Sequence, residues 1–329
     1  MKKAFRFFSF FLLVLSGCNS IETKQLHEKS DHRIKVLSTI AMVGDLVSQI
    51  GGDRIDHSVL IIGEIDPHSY ELVKGDDEKI ENADVVFLNG LNLEHGASLQ
   101  SKIFSHSHFV SLGDRLFSEH SELILFEKGQ FDPHIWMDIS LWALTIDPIV
   151  EALSEKDPEG KLYYESRGSL LKEEMMSFHN LLKSRLASVP EEKRYLVTSH
   201  DAFGYFARAY LSSDRDLQQG DWRKRVVAPE GLAPDGQLSV MHLQEIVDHL
   251  IKYKIEVVFP ESNVSRDALR KIVLACKEKK AMIHFSTDVL YGDCMGESGS
   301  PGGTYLGMLE HNVDILLKEW LSSGTQDES

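Results

Sequence analysis

Cysteines, basic residues and long apolar runs are all scarce in this sequence of 329 residues. Three cysteines in a chain of this length exclude a small module held together by disulfides or thiolate-bound metals. Lysine and arginine number 35 against 51 aspartates and glutamates, so the formal charge is −16 and the chain lacks the basic footprint of a DNA- or RNA-binding protein. Because no apolar run of about 20 residues follows the N-terminal segment, a polytopic membrane protein is excluded as well.

The overall composition is typical of a globular protein, with 42% hydrophobic and 26% charged residues. This balance argues against an extended disordered chain, and the length suffices for two lobes with separate cores or for one large barrel. Histidine is abundant, with 15 residues. The search for a site therefore turns to imidazole and carboxylate chemistry rather than to thiolate chemistry.

The N-terminus has the layout of a secretory signal. A basic start precedes an apolar stretch at Phe7–Leu15, and small residues lead to Cys18. A membrane anchor is the alternative, but an apolar core of about nine residues is much shorter than a spanning helix. The residues before Cys18 resemble a bacterial lipobox, in which cleavage leaves a lipidated cysteine that anchors the protein. We predict a signal peptide over 1–17 and a lipidated tether over 18–33.

After the tether, short β-branched runs alternate with helical stretches, which is the pattern of βαβ units. Strands are predicted at 35–39, 58–62, 85–89, 109–112, 195–199, 226–228, 256–259 and 282–285, and helices include 41–50, 240–253 and 267–279. The fold class is therefore α/β, with two lobes that each contain a small, mostly parallel sheet flanked by helices. We place the N-terminal lobe at 34–157 and the C-terminal lobe at 191–329.

One long helix is predicted to join the lobes, within a linking segment at 158–190. Apolar residues recur at near-helical spacing from Pro158 to Ala187, and Pro190 ends the pattern. At 1.5 Å per residue this helix would be about 45 Å long, enough to run along both halves. Gly168 costs about 1 kcal/mol relative to alanine inside a helix and makes a break there possible.

The tripeptide Asp-Pro-His occurs twice and places His68 and His134 in loops. Proline fixes its own φ and favours an extended backbone in the residue before it, so each imidazole is held on a stiff turn. Asp66 and Asp132 could orient the rings by accepting the second ring N–H. A single histidine in such a turn is usually a surface residue, whereas two copies in matching contexts favour paired metal ligands.

Two further candidates lie in the second half. His200 directly follows the strand predicted at 195–199 and precedes a helix expected to be capped by Asp201; ligands of open α/β sheets bind at such strand ends. A histidine packed under the helix start is the alternative. Asp293 lies in a turn-rich segment after the last predicted strand, and its residue type alone would indicate a solvated turn.

Five segments, in order, resemble the metal-binding solute-binding lipoproteins of bacterial ABC transporters for zinc, manganese and iron. They are IDPHSYE at 65–71, ADVVFLNGLNLE at 83–94, DPHIWMD at 132–138, LVTSHDAFGYFARAY at 196–210 and GDCMGESGSPGGTYLGMLEHN at 292–312. The resemblance implies that His68 and His134 are metal ligands from the first lobe and that His200 and Asp293 are ligands from the second. Residues so far apart in sequence could meet only in a tertiary cleft between the lobes.

The resemblance also implies a function. The protein would capture one divalent transition-metal ion outside the cytoplasm and deliver it to a membrane permease that works with a cytoplasmic ATPase. It would act as a monomer, without catalysis and without nucleic acid, attached to a bacterial membrane through its lipid. Whether it faces a periplasm or the outside of a single-membrane cell is left open, because both use the same lipobox.

Zinc is the favoured metal, with manganese and iron as alternatives. Manganese-dedicated members tend to carry glutamate at the third ligand position, where this chain has His200, and a nitrogen-rich site also favours zinc. The long His-rich loop of some zinc members is missing, since His95, His106, His108 and His120 are the only histidines between the first two ligand motifs. Asp288 is an alternative to Asp293, but the family motif falls on Asp293.

Two other classes of function fit part of the sequence. A zinc hydrolase would also use histidine and aspartate ligands, but HExxH and Gly-x-Ser-x-Gly motifs are absent, and a catalytic zinc keeps an open position. A surface adhesin would need a binding repeat or an exposed apolar patch, and no repeat is visible. Cys276 and Cys294 could pair in an oxidising compartment, and the sequence does not decide between a disulfide and free thiols.

Overall fold

The computed structural model describes residues 33–127, 129–234 and 238–322. The predicted signal peptide and Cys18 lie outside the described residues. From Arg33 onward the chain forms one compact unit. Among the described residues, no helix combines the length and the apolarity that crossing a bilayer requires.

The first half is built on a parallel sheet of four strands with helices between them. Its elements are β1 (Ile34–Ser38), α1 (Ala41–Gly51), β2 (Ile55–Val59), α2 (Asp76–Glu81), β3 (Val85–Leu88), α3 (Ala97–Ser105), β4 (Phe109–Ser111), α4 (Leu112–Glu119), β5 (Phe126–Glu127), β6 (Gln130–Phe131), α5 (Ile139–Trp142) and α6 (Ile146–Lys156). The strand order is β2-β1-β3-β4, while β5 and β6 form an antiparallel pair. All four residues of β3 are buried, as expected for a central parallel strand covered on both faces.

The strand predicted at 58–62 begins three residues earlier, at Ile55. Its burial alternates from Ile55 to Val59, because β2 is an edge strand with one face toward solvent. The more apolar residues Leu60 and Ile61 follow the strand and still donate backbone hydrogen bonds to the end of β1. The apolar run thus marks the exit from the sheet, which leads into the loop that carries His68.

The predicted long helix is present as α7 (Lys161–Ala187), preceded by a 3₁₀ turn at Pro158–Gly160. It runs unbroken through Gly168, where the sequence had made a break possible. A Cβ at position 168 would lie 2.7 Å from Val150 Cγ2 of α6. The glycine therefore permits the close approach of two helices, which offsets its poor helix propensity.

The second half contains shorter strands, in two parallel pairs. Its elements are β7 (Leu196–Val197), α8 (Gly204–Phe206), α9 (Asp214–Gln219), β8 (Val226–Val227), α10 (Val240–Tyr253), β9 (Val257–Val258), α11 (Asp267–Glu278), β10 (His284–Phe285) and α12 (Tyr305–Ser322). Strand β7 pairs with β8, and β9 pairs with β10. The Phe259 N–H donates to the Val197 carbonyl oxygen at 2.8 Å and joins the two pairs. The predicted α/β class, with parallel sheets, flanking helices and one long helix, is confirmed.

The predicted cap on the helix after His200 is wrong. Helix α8 begins at Gly204, its N-cap is Phe203, and no side chain caps it. The Asp201 backbone N–H instead donates to the Gly231 carbonyl oxygen, so the chain crosses several irregular residues before it turns helical. The loop that carries His200 is therefore longer than the sequence indicated.

Candidate metal centre

Four loops converge on one buried point. His68 follows β2, His134 precedes a 3₁₀ turn, His200 follows β7, and Asp293 lies between β10 and α12. Each offers one ligand atom, and the four atoms lie within 4.8 Å of one another. The four residues are 0–3% exposed. The structure thus brings together the four residues that the resemblance singled out.

The distances within this cluster suit a shared cation. His68 Nε2 lies 3.3 Å from His134 Nε2, and Asp293 Oδ1 lies 3.3 Å from His134 Nε2. Asp293 Oδ2 lies 3.6 Å from His68 Nε2 and 3.0 Å from His200 Nε2. Ligands bound at about 2.0–2.1 Å to a tetrahedral zinc ion stand about 3.3 Å apart. Because both carboxylate oxygens of Asp293 face imidazole nitrogens, one or both could bind the ion.

The ring of His134 is oriented by a carboxylate. Its Nδ1 donates to Asp132 Oδ1 at 2.7 Å, and its backbone N–H donates to the same oxygen at 3.0 Å. In the neutral ring this contact places the proton on Nδ1 and leaves the Nε2 lone pair directed at the cluster. Asp132 therefore makes the ring contact predicted for it.

Asp66 has a different partner from the one predicted. Its Oδ1 accepts the backbone N–H of His68 at 2.8 Å, and its Oδ2 accepts the hydroxyl of Ser69 at 2.6 Å. These are the local hydrogen bonds of an aspartate that stabilises a turn. Asp66 fixes the loop rather than the imidazole, because the turn directs its carboxylate toward the backbone.

Glu261 is the residue that sequence reasoning missed. Its Oε1 accepts the backbone N–H groups of Ser199 and His200, both at 2.9 Å, and its Oε2 lies 2.8 Å from His200 Nδ1. A Cβ at Gly292 would lie 2.2 Å from this Oε2, so the glycine makes room for the carboxylate. The available signal was an acidic residue just past the strand predicted at 256–259.

Aromatic side chains connect the loops around the cluster. The Trp136 ring lies 5.3 Å from the His134 ring, and its Nε1 donates to the Gly292 carbonyl oxygen at 3.0 Å. The Tyr305 hydroxyl donates to the Trp136 carbonyl oxygen at 2.7 Å. These bonds tie the loop of His134 to the loop of Asp293, whose residues lie far apart in sequence.

The charged groups of the cluster shift one another's pKa values. Burial opposes the charged form of His134, but hydrogen bonds to Asp132 and Asp293 outweigh it and raise its pKa to about 9. Burial also disfavours protonated His200, yet the charges of Asp293 and Glu261 raise its pKa well above the ordinary value. Despite burial, the charge of His200 and the hydrogen bond from His134 hold the pKa of Asp293 well below its usual range.

His68 behaves in the opposite way, because burial lowers its pKa to about 3 despite the nearby charge of Asp293. These shifts favour the positively charged imidazolium forms of His134 and His200 near neutral pH in the metal-free cluster, and the neutral form of His68. An arriving cation must displace those protons, because only a neutral imidazole has a lone pair to donate.

The remaining candidate groups lie elsewhere. Nε2 of His106 donates to the Ala83 carbonyl oxygen at 3.1 Å, and its Nδ1 accepts the backbone N–H of His108 at 3.2 Å. Exposed Asp288 pairs with Lys318 at 2.8 Å. Cys276 and Cys294 are free, buried thiols. Cys294 directly follows Asp293, but its Sγ lies 3.1 Å from the Ser262 hydroxyl, and the four-residue cluster does not include it.

The chain is similar to known metal-binding proteins over most of its length. Residues 36–319 match the family described as ZnuA, zinc-uptake complex component A periplasmic. Metal-binding protein YtgA of Chlamydia trachomatis is 38% identical over 311 residues, which cover 94% of this chain and 93% of that protein. Manganese-binding lipoprotein MntA of Bacillus subtilis is 31% identical over 311 residues, covering 94% and 96%.

Solved structures of metal-binding proteins have the same fold as this chain. The crystal structure of Fe(III)-bound YtgA from Chlamydia trachomatis superposes with a TM-score of 0.82 at 38% identity and covers 87% of this chain and 98% of that one. The periplasmic zinc-binding protein TroA of Treponema pallidum superposes with a TM-score of 0.78 at 28% identity, with the same coverage. The metals named for these relatives thus include zinc, manganese and iron.

Proposed function

The chain belongs to the family of the periplasmic component A of zinc-uptake complexes, and from that premise we propose that it is an extracytoplasmic solute-binding protein. It captures one divalent transition-metal ion and delivers it to the permease of an ABC transporter, whose cytoplasmic ATPase drives uptake. Membership in a family of solute-binding transport proteins favours this carrier over an adhesin or a zinc hydrolase.

The ligands in this proposal are His68, His134, His200 and Asp293. The observation that carries it is the convergence of four buried ligand atoms within 4.8 Å of one another. Burying such groups without a partner cation is costly, because three imidazoles and a carboxylate lose their hydration. Four protein ligands also close the coordination shell, which suits a carrier better than a catalyst that needs an open position.

We propose zinc as the preferred cargo. Three imidazole nitrogens and a carboxylate are common zinc ligands, and four of the distances between donor atoms, 3.0–3.6 Å, lie near those of a tetrahedral zinc site. Manganese or iron is the alternative, supported by the metals named for MntA and YtgA. Binding of Asp293 through both oxygens would raise the coordination number and favour those metals.

The proposed location follows from the N-terminal sequence. Lipidation of Cys18 would hold a monomer on the outer face of a bacterial membrane, within reach of the permease. The two lobes, 34–157 and 191–329, would hold the ion between them, joined through the segment 158–190. Release would require a change in their separation, which the single long helix limits to a modest amplitude.

The test is thermal unfolding of chelator-stripped protein from Asn19 to Ser329, titrated separately with zinc, manganese and iron. A ligand at a thousandfold its dissociation constant stabilises the folded state by about 4 kcal/mol, so tight binding gives a large shift and the metal-free unfolding transition disappears at one equivalent. Zinc is expected to produce a given rise in melting temperature at a lower metal concentration than manganese. No shift with zinc, manganese or iron, in protein that unfolds cooperatively, would refute the carrier.

Single variants assign the shift to the cluster. His68→Ala and His200→Ala should lose most of it, because each removes a buried ligand, whereas the matched variant His106→Ala should keep it. Equal losses in all three would mean that peripheral histidines hold the ion.

A further inference from the structure

A fifth imidazole lies against the cluster. The ring of His95 is 5.8 Å from the ring of His68 and tilted by 57°. The four cluster residues are 0–3% exposed, whereas His95 is only half-buried and reaches solvent. Among the described residues that make ring contacts with the three cluster imidazoles, it is the one histidine outside the cluster.

The hydrogen bonding of His95 leaves one nitrogen available for a metal. Nδ1 lies 3.2 Å from the Asn92 carbonyl oxygen, which can only accept, so Nδ1 carries the proton of the neutral ring. Nε2 then holds a lone pair and has no hydrogen-bond partner among the described residues. His134 and His200 have the same arrangement, with Nδ1 held by an oxygen and Nε2 facing the cluster.

The loop that carries His95 is rigidly held. Gly90, Leu91 and Asn92 have consecutive positive φ values of 78°, 52° and 63°, a conformation that only a well-anchored loop retains. The anchor is buried Glu94, whose carboxylate accepts the backbone N–H groups of Asn89 at 2.8 Å and Gly90 at 3.1 Å. Its neighbour His95 is thereby held beside His68.

Resting on the proposed function, we propose that His95 is a transient ligand through which the metal ion passes between solvent and the buried cluster. A hydrated ion must lose water before four buried side chains can bind it. An imidazole at the rim replaces one water molecule early and holds the ion next to His68. Because the ion meets His95 in both directions, His95 speeds uptake and release alike and leaves the equilibrium affinity unchanged.

The test compares wild-type protein, His95→Ala and the matched control His106→Ala, which removes a ring whose two nitrogens both bond to the backbone, to the Ala83 carbonyl oxygen and the His108 N–H. Zinc uptake is followed in a stopped-flow instrument by tryptophan fluorescence, since Trp136 lies beside His134. Zinc release is followed into an excess of a chromogenic chelator. Unchanged melting temperatures of the metal-free variants establish that each one folds.

We expect His95→Ala to slow uptake and release by about tenfold each, with the dissociation constant within twofold of wild type. Unchanged rates would overturn the proposal, because the ion would then reach the cluster by another route. A larger dissociation constant with an unchanged rate of zinc binding would also overturn it, because His95 would then belong to the final site. Failure of the wild-type protein to bind zinc would refute the carrier function instead.

Discussion

At the scale of single residues, the proposed metal centre depends on how carboxylates orient imidazoles. Asp132 holds Nδ1 of His134, and Glu261 lies 2.8 Å from Nδ1 of His200 while it also accepts two backbone N–H groups. Such contacts fix the ring and make the opposite nitrogen a better ligand. The strength of metal binding should therefore depend on residues that never touch the ion.

Glu261→Gln tests this dependence. The amide is similar in size but cannot accept two backbone N–H groups and the His200 ring proton at once. We expect zinc affinity to fall by about 10–100-fold, measured by competition with a chelator of known affinity. Glu256→Gln is the matched control, because Glu256 is exposed directly before β9, the strand that leads to Glu261. Equal affinities of the two variants would show that Glu261 does not tune the site.

The protonation of His134 and His200 predicts how zinc affinity depends on pH. Because their pKa values are raised, to about 9 for His134, zinc must displace protons below that pH. Zinc affinity should therefore fall as the pH falls, by about 10²- to 10⁴-fold between pH 8 and pH 6 for one or two displaced protons. His68, with its pKa near 3, contributes nothing in that range.

Calorimetry in two buffers of different ionisation enthalpy measures the protons released on binding. We expect between one and two protons per zinc ion at pH 7, and His106→Ala should give the same number. A dissociation constant that stays the same from pH 8 to pH 6, without proton release, would contradict the pKa values of the metal-free cluster.

At the scale of elements, the packing of α6 against α7 depends on Gly168. A larger side chain there must push against Val150, whose branched Cγ2 cannot rotate away freely on a helix. We expect Gly168→Leu to lower the free energy of unfolding by about 1–3 kcal/mol, measured by urea denaturation of metal-free protein. Val150→Ala in the same chain should restore part of the loss.

The control for this prediction is Ser169→Leu, on the exposed side of the same helix. It should change the free energy of unfolding by no more than about 0.5 kcal/mol. If the two leucine variants were equally stable, the close approach at Gly168 would not govern the packing of the two helices.

The sequence predicted elements better than it predicted their limits. Helices α1, α10 and α11 match their predicted ranges closely, because their apolar spacing and end residues are local signals. Strands of the second half pair over only two residues each, since ladder length depends on the partner strand. The helix predicted after His200 begins later, at Gly204, because a backbone bond to Gly231 holds the preceding loop.

The candidate site, like the fold, could be predicted from the sequence only in part. His68, His134, His200 and Asp293 could be named because their motifs and order resemble a known family. Glu261 and His95 could not, because their significance lies in contacts with His200 and His68 across long stretches of chain. Local sequence predicts which residues sit at strand ends, whereas the orientation of each ring depends on tertiary contacts.

At the scale of the whole molecule, both halves of the chain pack against the same long helix, α7. The 27-residue helix α7 contacts α1, α5 and α6 from the first half and α12 from the second. One apolar core includes residues of the first sheet and of α12, while a second, smaller core lies between α10 and α11. This shared core favours small relative movements of the two halves.

The central claim is that His68, His134, His200 and Asp293 together hold the transported ion. X-ray diffraction above and below the zinc absorption edge, from crystals grown with one equivalent of zinc, tests it most directly. The account predicts one strong anomalous peak, about 2.0–2.2 Å from Nε2 of the three histidines and from the Asp293 carboxylate. A peak at surface histidines, with none between these four side chains, would contradict it.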